Sequence, residues 1–201
     1  MKNLPLNEEK YLAAYLCGVV QGDRAAEAAS ALFEKYGRLD RILERGYSEL
    51  ENLVGAAVAT SIKLLGAVIS RSHTDNFKTG CSYTKDEIEE YLRWLYFGRD
   101  VECVHLLFFD KRDRLLAVSK ISEGTVNSSE ITPRRALEAA SRTKPKAASA
   151  ILSHNHPGGV VSVSEHDSYA TLVMRRALES VDVKLLYHVV VAGGEVGYIE
   201  T

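Results

Sequence analysis

Ser153-His154-Asn155-His156-Pro157 closes an apolar run, Ala147 to Leu152, that reads as a buried strand. Side chains two apart on a strand share a face, so the imidazoles of His154 and His156 stand side by side. That is a metal-ligand pair. Past the turn at Pro157, Gly158 and Gly159, the stretch Ser164-Glu165-His166-Asp167 opens a helical pattern, and Asp167 falls in a first turn that can fold back toward the histidines. Two neutral imidazoles and one carboxylate occupy three corners of a tetrahedral zinc and leave the fourth for water. Zinc lowers the pKa of that water from about 16 to roughly 7, which makes hydroxide available for hydrolysis at neutral pH. Two plainer readings stay open: strand-end histidines can pair through a hydrogen bond with no metal, and Ser164 followed three residues on by an acid also fits a capping box.

The elements that must position these residues fall into two groups. Helical patterns fill the first third. Asn7 to Val20 is apolar-periodic, Asp23 caps a run from Arg24 to Tyr36 that Gly37 stops, Leu39 to Leu43 is short, Ser48 with Glu51 has capping-box spacing, and Ala56 to Ser70 is apolar on one face. Ser72 to Gly80 is polar and aperiodic, which sets a boundary near residue 74. From there helices and strands interleave. Thr84 with Glu87 starts a helix through Trp94; Glu102 to Phe109 and Leu115 to Ile121 are strands joined by Asp110-Lys111-Arg112-Asp113; Thr132 caps a helix from Pro133 to about Ser141. The histidine strand, a helix from Ser164 to Ser180, and strands Lys184 to Val191 and Val196 to Glu200 complete an α/β (α+β) domain with a mixed sheet.

Composition sets outer bounds. The 201 residues carry a net charge of -2 and 46% apolar side chains, enough for one or two small cores and too little positive charge for strong nonspecific binding to nucleic acid. No apolar stretch is long enough to cross a bilayer and Met1 to Pro5 opens no signal-peptide core, so a cytoplasmic protein with no membrane contact is expected. Cys17, Cys81 and Cys103 are odd in number and far apart, which argues for reduced thiols. His188 in its apolar strand reads as a core histidine or a partner behind a ligand, His166 as exposed, and Cys103 and His105 as structural. Arg134, Arg135, Lys144 and Lys146 form a modest basic cluster on a solvated surface.

His154-x-His156, seven residues, Ser164, two residues, Asp167 has the spacing of the JAMM (MPN-type) zinc metalloprotease motif, and His154-Asn155-His156-Pro157-x-Gly159 resembles the RadC-like branch of it. Gly124-Thr125-Val126-Asn127-Ser128-Ser129, Pro133-Arg134, the Phe108 to Leu116 hairpin and His188 resemble further RadC segments, and the helical third is similar to the RadC N-terminal domain, related to helix-hairpin-helix modules. The resemblance implies a JAMM/MPN-like mixed sheet over residues 75–201 behind a small all-helical domain over 1–74. It implies a zinc held by His154, His156 and Asp167, Ser164 bonding the oxyanion of the transition state, and a sheet glutamate acting on the water. Departures bear on each role. The usual glutamate position is Lys120 and Glu123 stands directly before Gly124, so Glu123 is the candidate base, against a solvated strand end; the two cannot share the metal face of a regular strand. Arg135, Val160, Val161, Val163 and Tyr187 replace residues usual in the family, and the hairpin glycines shrink to Gly55, which weakens phosphate binding by backbone amides.

The function implied is metal-activated hydrolysis of peptide or isopeptide bonds in a protein or peptide substrate, in a family whose name is tied to DNA repair. The alternative is a noncatalytic module that binds protein or, weakly, DNA on the same scaffold. A one-metal nuclease is chemically open but is not the chemistry of this fold.

Overall fold

The structure is a computed structural model and describes residues 7–124 and 133–200. The Thr125 to Ser129 segment, the cap at Thr132 and Met1 to Pro5 lie outside the described residues. The chain divides between Ser70 and Arg71 into two compact units.

The first unit is helical: α1 Glu8–Leu16, α2 Asp23–Tyr36, α3 Leu39–Leu43, α4 Tyr47–Val54 and α5 Ala56–Thr74. Leu12, Leu16, Leu32, Ile42, Leu50 and Ile62 are each buried. Helix α1 ends four residues before the expected Val20, because the Leu16 carbonyl accepts the amides of Val19 and Val20 at 2.8 and 2.9 Å and closes the chain into a tight turn around Gly18. The capping box expected from Ser48 and Glu51 does not form. Helix α4 begins at Tyr47 after Gly46 with no side-chain cap, and Glu51 instead accepts the Tyr47 hydroxyl at 3.3 Å.

The second unit holds α6 Lys85–Tyr96, β1 Glu102–Phe109, β2 Leu115–Gly124, α7 Pro133–Ser141, β3 Ser149–Asn155, α8 Glu165–Glu179, β4 Lys184–Ala192 and β5 Glu195–Ile199. Helix α5 runs to Thr74, past the expected end at Ser70, and within the second unit the His73 ring lies flat on Trp94 of α6 at 3.9 Å. Thr84 and Glu87 form the expected capping box of α6. The sheet runs β2-β1-β3-β4-β5, with β3 and β4 parallel and the other pairs antiparallel, a mixed sheet with helices on both faces. On one face Val104, Leu106, Phe108, Ala150 and Leu152 pack under Ala136 and Ala140 of α7 and Met174 and Leu178 of α8. On the other, Cys103, Leu107, Ile151, Val189 and Val191 pack against Ile88, Leu92 and Tyr96 of α6.

One irregularity decides which residues reach which face. Between β1 and β2, Val104 pairs with Ser122 and His105 with Lys120, so Ile121 is an extra residue, a β-bulge. Its carbonyl accepts Arg135 Nη1 from α7 at 3.0 Å. Ile121 and Ser122 both fall on the α7/α8 face, and alternation restarts one step out of phase.

Candidate metal centre

Strand β3 carries His154 onto the α7/α8 face, in line with Val104 on β1 and Val190 on β4. Asn155 points to the opposite face and clamps the strand end: its Oδ1 accepts the Cys103 amide at 2.8 Å and its Nδ2 donates to the Val101 carbonyl at 3.0 Å. The chain then leaves the strand, with the His156 amide donating to the Val191 carbonyl at 2.9 Å, so His156 extends the face of His154.

Asp167 arrives from α8 by its capping box. The Ser164 hydroxyl donates to Asp167 Oδ2 at 2.5 Å and the Ser164 amide at 2.9 Å, while the Asp167 amide donates back to Ser164 Oγ at 3.1 Å. Oδ2 is thereby held by two donors. Oδ1 is turned inward, 3.2 Å from His154 Nε2. His154 Nε2 and His156 Nε2 are 2.9 Å apart, and His156 Nε2 is 3.8 Å from Asp167 Oδ2. Burial pushes the Asp167 carboxyl up, but the His154 imidazole and the Ser164 donors outweigh it and hold the group well below the usual carboxylate range.

Three acceptors converging this closely require something positive between them. A proton on one imidazole satisfies one pair; a divalent cation satisfies all three. The ligand edges of a tetrahedron with bonds of about 2.0 to 2.1 Å are about 3.3 Å long, close to the 2.9 Å between the two Nε2 atoms and the 3.2 Å from His154 Nε2 to Asp167 Oδ1. His156 Nδ1 faces the Val160 carbonyl at 3.3 Å, which takes its proton and leaves Nε2 with a lone pair. The donor set therefore fits zinc. Among the described residues this is the one group of three or more histidine, cysteine or acidic side chains close enough to share an ion. His154 is 1% exposed and His156 22%, so the site opens on the His156 side.

The other expected residues are placed as follows. Ser164 reaches the cluster, but its single proton is directed at Asp167, where it orients a ligand oxygen. Glu123 is not brought to the cluster. It pairs with Cys103, so it points to the α6 face, where the Lys120 ammonium binds it and, first by that hydrogen bond and then by charge, keeps its carboxyl low. The bulge at Ile121 explains the placement: it puts Lys120 and Glu123 on one face, and that face is the one opposite His154. On the His154 side the corresponding β2 residue is Ser122, a buried hydroxyl with no hydrogen-bond partner among the described residues. His188 is fully buried against His154, with Nε2 2.8 Å from His154 Nδ1, and burial first, then the neighbouring His154 imidazole, lowers it to about 3. Three roles escape a motif search: the clamp made by Asn155, the Thr171 hydroxyl beside His188 and the Val160 carbonyl. Asn155 alone has a visible signal, its place between the histidines.

Behind the histidine strand, Tyr96 Oη bonds Ser153 Oγ at 2.8 Å and His105 Nδ1 at 3.1 Å. Burial lowers His105 from 6.5 to about 4. Because the folded value is depressed, the unfolded chain binds the proton more readily, so stability is intact above about pH 6.5 and declines as pH falls to 4. The histidine accounts for about 3 kcal/mol of that decline. Denaturant titrations across this window are expected to show a shallower pH dependence for His105→Gln than for wild type; equal slopes would reject the assignment.

The family model described as RadC-like JAB domain matches residues 82–199. A UPF0758 protein of Chromobacterium violaceum is 31% identical over 192 residues, covering 94% of this chain and 85% of the relative. UPF0758 proteins of Dechloromonas aromatica and Nitrosococcus oceani are each 32% identical, over 94% of this chain and 84% and 85% of theirs. No helix among the described residues is long and apolar enough to cross a membrane. A mixed sheet carrying His-x-His at a strand end, a capping-box aspartate beside it and a match over most of the second unit together make this chain a member of the RadC-like JAB-domain family.

Proposed function

We propose that the chain is a zinc-dependent hydrolase of amide bonds, acting on a peptide or isopeptide in a protein or peptide substrate in the cytoplasm. The observation that supports this reading is the convergence of His154, His156 and the Asp167 carboxylate, with ligand atoms within 4.8 Å of one another and each side chain oriented by a partner of its own. When bound, zinc supplies Lewis acidity and brings the pKa of water near neutrality. His154 and Asp167 anchor the buried side of the site and His156 its open side, from which substrate approaches. Ser164 fixes Asp167 Oδ2, so that Oδ1 serves the metal.

The test is metal content of protein purified without chelators or a histidine tag, followed by a screen of peptide and isopeptide substrates. One zinc per chain and a cleavage abolished by chelation are expected. Glu123→Gln is expected to leave that cleavage unchanged, because Glu123 lies on the far face. Absence of zinc from the wild type would reject the reading. A second reading, a noncatalytic module that binds protein or weakly DNA, is favoured by Ser122 standing where the metal face of β2 would carry a base. Zinc binding with no cleavage of any substrate in the screen would favour it.

A further inference from the structure

We propose that Thr171 and His188 form a hydrogen-bond relay that fixes His154 in the tautomer whose Nε2 lone pair faces the metal position, making both positioning residues for the metal. The inference rests on the reading of the cluster as a zinc site. Each link follows from the one before it. Thr171 Oγ1 lies 2.6 Å from the Asp167 carbonyl oxygen, which can only accept, so the hydroxyl's single proton goes there. His188 Nδ1 lies 2.6 Å from the same Oγ1 and must therefore donate to it. A neutral His188 then carries a lone pair on Nε2, 2.8 Å from His154 Nδ1, which has to supply the proton. His154 is left with its lone pair on Nε2, 3.2 Å from Asp167 Oδ1.

The path starts at the backbone of Asp167 and returns to its side chain, crossing α8, β4 and β3 on the way. Thr171, His188 and His154 are each no more than 1% exposed, so solvent offers no substitute for any partner. The usual partner behind a ligand histidine is a carboxylate, a backbone carbonyl or water. Here it is an uncharged imidazole, itself directed by a hydroxyl, so the relay orients His154 by proton placement alone. Removing that hydroxyl leaves the His188 Nδ1 proton buried without an acceptor. The favoured arrangement then reverses: His188 carries its proton on Nε2, donates to His154 Nδ1, and drives the His154 proton onto Nε2, against the metal.

The experiment pairs nitrogen-15 NMR of histidine tautomers in metal-free protein with zinc affinity measured by competition against a chromophoric chelator. Wild type is expected to show His154 protonated on Nδ1. Thr171→Val, nearly isosteric, is expected to show it protonated on Nε2 and to bind zinc about 10- to 100-fold more weakly. Thr171→Ser, which restores the hydroxyl, is expected to return both readouts toward wild type, which a loss of packing alone would not explain. An Nε2-protonated His154 in wild type overturns the relay without need of any variant, as does a Thr171→Val protein with unchanged tautomer and zinc affinity. A wild type that binds no zinc overturns the hydrolase reading instead, and the tautomer measurement still decides the relay.

Discussion

Asp167→Asn is expected to weaken zinc binding by more than about 100-fold, beyond the range of an outer partner, while leaving the metal-free fold nearly intact. The carboxylate does two separable jobs. Oδ1 lies beside His154 Nε2, where it would be the charged ligand of a bound metal, and Oδ2 accepts the Ser164 amide and hydroxyl at the start of α8. An asparagine oxygen can still accept at the helix start but brings no charge to a cation. Asp167→Ala removes both jobs, so it is expected to match the asparagine variant in zinc binding and to lose a further 0.5 to 2 kcal/mol, about the value of a helix cap. Chelator competition measures the first quantity, and denaturant unfolding in excess chelator the second. An Asp167→Asn protein that keeps its zinc affinity within tenfold would remove Asp167 from the ligand set.

Gly193→Ala is expected to cost about 2 kcal/mol and to weaken zinc binding, although residue 193 touches no ligand. Gly193 sits in the β4-β5 turn at φ +56, where an L side chain costs about 1 to 2 kcal/mol. A Cβ there would lie 3.0 Å from the Gly159 carbonyl oxygen, in the loop that follows His156. The same hairpin approaches the loop again at Gly197, where a Cβ would run into the Val161 side chain. Pushing the loop away moves the Val160 carbonyl off His156 Nδ1 and frees that ring. Gly80→Ala is the control: φ is +85 and an added Cβ meets nothing within 4 Å among the described residues, so it carries the backbone cost alone. Comparing unfolding free energy and zinc affinity of the two variants isolates the contact. Equal zinc affinity in both would show that the hairpin does not hold His156.

The three side chains of the candidate metal cluster were legible as neighbours because each depends on a local rule. Alternation places His154 beside His156, and a helix start places Asp167 in a first turn whose cap also aims its carboxylate. The order of helices and strands in the second unit followed from equally local patterns, including Thr84 with Glu87. What could not be read depends on pairing between distant segments. The relay joins Thr171 and His188 across 17 residues, and Asn155 holds Cys103 across 52. Ser48 with Glu51 shows the opposite failure, a sound local signal overridden because the helix starts earlier, at Tyr47. Glu123 fell between the two cases. Its distance from Gly124 was plain, but its direction depended on Ile121.

That bulge also changes how related chains should be aligned. Counting back from Gly124 to find a catalytic glutamate treats β2 as a ruler with uniform marks, and the extra residue shifts the phase of every mark on its far side. In a chain without the bulge, the residues three apart at the positions of Lys120 and Glu123 would occupy opposite faces, whereas here they share one. Equal offset in sequence then means opposite direction in space, so functional equivalence along this strand follows the pairing with β1 and not the column of the alignment.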